Sequence, residues 1–149
     1  MATTAGRVKA ISVSERKGVP KRKVAEALLE AEHGIVGDAH AGAGHRQVSL
    51  LAFESIERLQ EKGLEISPGD FAENITTQGL PMEALQVGDV LRIGDEVRLE
   101  ITQRGKACHS RCGVFERLGE CIMPREGLFA RVTRGGRIQV GNRVEVVHD

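Results

Sequence analysis

Residues 87 to 102 read VGDVLRIGDEVRLEIT, and no other stretch limits the fold as tightly. Leu91 and Ile93 alternate with polar neighbours, Val97, Leu99 and Ile101 do the same, and a Gly94-Asp95 step separates the two runs. Side chains two positions apart share one face of a strand. The stretch therefore predicts a β-hairpin that turns at Gly94-Asp95 and carries all its apolar side chains on one side.

The rest of the chain continues in the same idiom. Four Phe and neither Tyr nor Trp leave the core to Val, Ile, Leu and Ala, and 18 glycines mark many turns. Residues 7 to 14, RVKAISVS, alternate as a half-buried strand, and 48 to 52 form a short apolar run. Phe53, Ile56 and Leu59 recur at helical spacing up to Gly63, a natural C-terminal stop. A short extended piece is expected within SPGDFAENITTQGL, a short helix over Gly113 to Leu118, and strands from Leu128 to Val147 through Gly135-Gly136 and Gly141-Asn142 turns. Residues 22 to 33, RKVAEALLEAEH, are helical on propensity alone. With no linker or repeat in view, residues 1–149 read as a single mainly β domain. About six to eight strands and one or two short helices favour a closed or nearly closed barrel.

Lys plus Arg and Asp plus Glu number 21 each, so no net field recruits nucleic acid or an anionic membrane. A groove lined with stacking aromatics is equally absent from the pattern. No apolar run approaches the roughly 18 residues of a bilayer span, and the opening MATTAGRVKA lacks the apolar region of a secretory signal. The expectation is a cytoplasmic protein without membrane contact. Thiols stay reduced there, and the odd set Cys108, Cys112 and Cys121 makes no disulfide framework.

Residues 105 to 112, GKACHSRC, concentrate the chemistry. Zinc is one reading, with Cys108, His109, Cys112 and Cys121 as ligands, but the spacing is not a two-plus-two knuckle. A reactive thiol is another, because Arg104, Lys106, His109 and Arg111 surround Cys108 with cations that favour thiolate. A third is a buried, inert Cys108 at a strand end with solvated basic neighbours. The glycine-rich loop with Gly37, Asp38, His40, Gly42, Gly44, His45 and Arg46 supplies permissive backbone and cations, a layout suited to a phosphate or polar ring. It equally fits a plain turn with exposed polar residues.

Five stretches in order, GIVGDAHAGAGHRQVSLLA, SPGDFAENITTQGL, LQVGDVLRIGDEVRLEIT, GKACH and MPREGLFARVTRGGRIQVGNRVEVV, resemble the MOSC domain family, named for the C-terminal domain of molybdenum cofactor sulfurases. The resemblance runs from about residue 7 to 147 and is nearest to small bacterial members with a G-K-x-C-H-x-x-C segment. It implies a MOSC-like β-barrel with one key cysteine, which maps onto Cys108 as a persulfide carrier or a direct molybdenum ligand. It also implies extended structure over 22 to 33, pairing in the barrel.

The implied ligand is the molybdenum cofactor, molybdopterin alone or as its nucleotide; pyridoxal phosphate is not expected in this chain. Implied partners are proteins of molybdenum cofactor biosynthesis, or a cysteine desulfurase as sulfur donor. Such a site needs donors for the cofactor's phosphate, and Lys106, Arg104, His45 and Arg46 are the candidates, with His109 beside them and Asn74 as a hydrogen-bond partner for the pterin. Enzymatic activity stays open, as sulfurtransferase-like or molybdenum cofactor-dependent chemistry. A zinc-stabilised structural or interaction domain is the alternative.

Overall fold

The expected hairpin forms at the expected place. A computed structural model of the chain describes residues 5–17, 19–42, 44–105 and 126–147, and in it the hairpin strands are β7 (Val90–Ile93) and β8 (Val97–Arg104). Leu91 lies opposite Leu99 and Ile93 opposite Val97, so the apolar side chains of both strands point inward together. Preceding them are β1 (Ala5–Val13), β2 (Arg22–Val24), β3 (Glu26–Glu30), β4 (Gly34–Ile35), β5 (Val48–Ala52), α1 (Phe53–Glu61) and β6 (Ile75–Gln78). After them come β9 (Leu128–Arg134), β10 (Gly136–Gln139) and β11 (Arg143–Val147).

The larger sheet has eight strands in the order β11-β7-β8-β9-β5-β6-β1-β2. Pairing of β1 with β11, Ala5 opposite Glu145, joins the ends and leaves only β2 outside a closed barrel. Closure removes the edges that would otherwise present unpaired backbone. Inside it, Val8, Leu50, Ile75, Leu99, Ile101, Val132 and Val144 meet in one core. Among the described residues β5 and β6 are the one parallel pair, and the connection between them holds α1, because parallel neighbours need a crossover.

The helix gives β5 a second buried face. Ile56 and Leu59 pack with Leu51, Ile66, Phe71 and Phe129 in a smaller core outside the barrel. Gly63 ends this segment at φ 93°, a conformation glycine adopts without strain, and its N–H donates to the Gln60 carbonyl. A single 3-10 turn, Met82–Ala84, lies between β6 and β7, and Leu80, Met82 and Leu85 around it join the barrel core.

Of residues 22 to 33, 22–24 and 26–30 are extended, as the family resemblance implied, but not as one barrel strand, and 31–33 form a turn. β2 pairs with β1 at the barrel's margin. β3 instead joins a separate three-stranded sheet, in the order β10-β3-β4, with Leu29 buried beneath it. Alternate burial along β3 yields more here than local helix propensity, which is a weak preference that pairing overrides. α1 is the α-helix that packs on the barrel; the helix expected over Gly113 to Leu118 lies outside the described residues. No helix among these residues is long and apolar enough to cross a membrane.

Candidate functional site

The glycine-rich loop rests against the end of β8. Gln103, two residues before Gly105, is the point of contact: its Oε1 accepts from Arg46 Nε at 3.0 Å and faces His45 Nε2 at 2.8 Å. Its Nε2 donates to the Gly105 carbonyl at 2.7 Å. An arginine Nε only donates and a carbonyl only accepts, so these two partners fix which way the amide points. The oxygen that faces His45 must therefore receive a proton from Nε2, which leaves Nδ1 for another partner.

Further contacts hold the same corner. The Thr102 hydroxyl donates to the His45 carbonyl, and the Arg46 guanidinium lies 5.4 Å from the centroid of the Phe129 ring, within cation–π range. His45 and Arg46 are exposed, and neither forms an ion pair with a carboxylate among the described residues. Arg46 therefore presents an exposed guanidinium on this corner. The Gly105 N–H donates to the Gly127 carbonyl at 2.7 Å, which pinches β8 and the residues entering β9 together where GKACHSRC begins.

Arg104 has a different task. Its guanidinium donates to the carbonyls of Met82 and Leu85, so it ties the 3-10 turn to β8. It also lines a cleft of about 420 Å³ with Glu54, Arg58, Leu80, Glu83 and Glu126. Arg58 is paired with Glu126 there. A larger hollow of about 530 Å³, bordered by Asp95, Glu96, Arg137 and Arg143, opens at the other end of β8, away from Gly105.

Asn74 does not face a cavity. It is fully buried; its Oδ1 accepts from the Ser49 N–H at 3.0 Å and hydroxyl at 3.2 Å, and its Nδ2 donates to the Ser12 carbonyl at 3.1 Å. With those partners it ties β1, β5 and the entrance to β6 together. The residue named as a pterin partner is thus found with its amide bonded to β1 and β5. Lys106, Cys108 and His109, like Cys112 and Cys121, lie outside the described residues.

Lys21 and Glu73, both buried, escaped the sequence reading, and Asp38, named there as part of the glycine-rich loop, proves to be buried with them. Lys21 is sealed from solvent with its Nζ 2.8 Å from Asp38 Oδ1 and 3.0 Å from Ser14 Oγ. Asp38 Oδ1 also accepts from the Ser14 N–H, and Oδ2 accepts from the His40 N–H, both at 3.0 Å. Burial pushes Lys21 below its ordinary pKa against the pull of Asp38, and the acid Glu73 acts on it as well. For Asp38, burial pushes upward, but His40, Lys21 and the Ser14 N–H prevail and hold it well below the usual carboxylate range. Glu73 is fully buried, and burial raises it to about 7. Nothing local in the sequence signals these three, since burial of a charge depends on what folds over it. Among the described residues no three His, Cys, Asp or Glu side chains cluster to hold a metal ion.

Comparison with known proteins places this geometry among relatives. A family model described as MOSC domain matches residues 37–145. A protein of Gibberella moniliformis named "Reductase" is 25% identical over 164 residues, a match that covers 96% of this chain and 28% of the relative, so the chain spans little more than a quarter of that protein. The crystal structure of the YUAD protein from Bacillus subtilis superposes with a TM-score of 0.79 at 18% identity, covering 95% of each chain. YiiM from Geobacillus stearothermophilus gives 0.73 at 20% identity, covering 96% of this chain and 75% of its own. YiiM from Escherichia coli gives 0.64 at 19% identity, with 96% and 70% covered. At these identities the structures speak for the shared fold.

Proposed function

Because this chain belongs to the MOSC domain family, which is linked to the molybdenum cofactor in general, we propose that it binds that cofactor or carries sulfur for it through Cys108. The observation that supports the reading best is the bridge made by Gln103. It holds His45 and Arg46 to the residue from which GKACHSRC departs, and Cys108 follows Gly105 by three positions.

The residues present suit the group. Arg46 and His45 offer exposed donors to an anionic phosphate, Lys106 and His109 add cations in the sequence, and Cys108 is the soft donor that molybdenum accepts beside a pterin dithiolene. When bound, the cofactor would supply a redox-active metal; the protein's own contribution is to bind the phosphate end and to keep Cys108 as thiolate. Cations near a thiol lower its pKa and raise the thiolate fraction at neutral pH.

Sulfur carriage uses the same thiolate. Cys108 Sγ attacks the terminal sulfur of a donor persulfide, a new S–S bond forms at Cys108, the donor's S–S bond breaks, and the donor cysteine leaves as thiolate. The proton stays on the transferred sulfur, and no external oxidant is needed. A cysteine desulfurase or a protein of cofactor biosynthesis is the donor class this chemistry calls for.

The test is to purify the protein anaerobically from a molybdate-replete host, measure molybdenum and pterin, and weigh Cys108-containing peptides for added sulfur. Cys108→Ala should abolish the metal or sulfur load while leaving the melting temperature near that of the parent. A full load retained by Cys108→Ala would sink the assignment.

A further inference from the structure

The Lys21–Asp38 pair is buried at the foot of the loop that carries His45 and Arg46, and its contacts reach three separate pieces of backbone. Asp38 receives the Ser14 N–H from the end of β1, the Lys21 ammonium from the entrance to β2, and the His40 N–H from its own loop. Lys21 donates in addition to Ser14 Oγ, and the Ala39 N–H donates to the Ser14 carbonyl at 2.8 Å. The loop is thereby pinned by Asp38 at its start and by Gln103 with Thr102 at its end, and between them the Gly42 N–H donates to the His33 carbonyl at 2.7 Å.

A buried ion pair is a poor source of net stability, since desolvation offsets much of the attraction; its clearest effect is to specify geometry, because neither charge tolerates loss of the other. Without the ammonium, the buried Asp38 carboxylate would be left with only the Ser14 and His40 N–H groups to meet its charge. The barrel wall is held by strand pairing on both sides, so relief for Asp38 is expected through outward movement of the loop, which is fixed by fewer bonds.

We infer that Lys21 is a positioning residue for the anion site: its buried ammonium fixes Asp38, and Asp38 fixes where His45 and Arg46 stand. The inference rests on the reading of His45 and Arg46 as anion donors. Lys21 itself touches no ligand. It acts wholly through the loop, which makes its effect separable from that of a contact residue.

The experiment compares Lys21→Met, His45→Ala with Arg46→Ala, and the combination, using inorganic pyrophosphate as probe by calorimetry and trypsin cleavage after Arg46 by mass spectrometry. Lys21→Met should weaken pyrophosphate binding about tenfold and speed cleavage after Arg46 by a similar factor. In the background lacking His45 and Arg46, the lysine substitution should bring no further loss of affinity. If Lys21→Met does not fold, Lys21→Met with Asp38→Leu removes both charges and should fold with the loop still released. A lower melting temperature with both affinity and cleavage rate within twofold of the parent would overturn the inference. Absence of pyrophosphate binding in the parent would count against the anion reading instead, and the cleavage rates would still decide the role of Lys21.

Discussion

Glu73 illustrates how one residue's environment becomes a property of the whole protein. Its carboxyl is fully buried, hydrogen-bonded by the Thr76 hydroxyl at 3.2 Å, and raised by burial to about 7 from an ordinary value near 4.5. Between those two values the folded protein keeps a proton that the unfolded chain has released. Stability must then fall as pH rises from about 4.5 to about 7, by roughly 3 kcal/mol at most, and level off above. Glu73→Gln should remove that slope, and urea midpoints from pH 5 to 8 for both proteins will measure it. Equal slopes would mean that another group holds the proton. Asp38 works in a lower window with opposite sign: its depressed pKa stabilises the fold above 3.8, and acid erases that gain.

At the scale of elements, the two arginines flanking the end of β8 divide their labour. Arg104 clamps the Met82–Ala84 turn through two carbonyls, and the turn in turn brings Leu80, Met82 and Leu85 onto the barrel core. Hydrogen bonds from a charged donor contribute about 1.5 to 3 kcal/mol, so Arg104→Ala should cost stability of that order. Arg46→Ala should instead cost anion affinity, because its guanidinium is exposed and stacked on Phe129. Denaturation and pyrophosphate titration of both variants will show whether the effects cross over. A loss of binding in Arg104→Ala without loss of stability would reverse the assignment.

For the molecule as a whole, barrel closure is the decisive event, and it passes through Gly6. That residue pairs with Val144 across the closing seam, and a Cβ placed on it would lie 2.5 Å from the Gln78 carbonyl oxygen and 2.7 Å from the Leu80 nitrogen. Both obstacles are backbone, so they cannot rotate away. Gly6→Ala should lower the unfolding midpoint in urea by an amount worth about 1 to 3 kcal/mol, the usual cost of overpacking, while the slope of the transition stays the same. An unchanged midpoint would show that the backbone of Gln78 to Leu80, on the β6 side of β1, yields more easily than these contacts imply.

The sequence by itself determined the elements whose causes are local. The β7–β8 hairpin follows from period-two alternation and a Gly-Asp turn, and α1 from apolar spacing closed by Gly63. The motif order was enough to indicate the family and its barrel. Only the tertiary structure decided partners. It separated β3 from the barrel, sealed Asn74 in a wall between β1 and β5, turned Arg104 toward carbonyls, and buried Lys21 against Asp38. The reason is physical: a strand's pattern encodes which side is apolar, but its neighbour and the cover over a charge are set by segments far along the chain. Lys21 and Asp38 are 17 residues apart, and Arg46 and Gln103 are 57 apart. Such pairs acquire their meaning when the barrel closes.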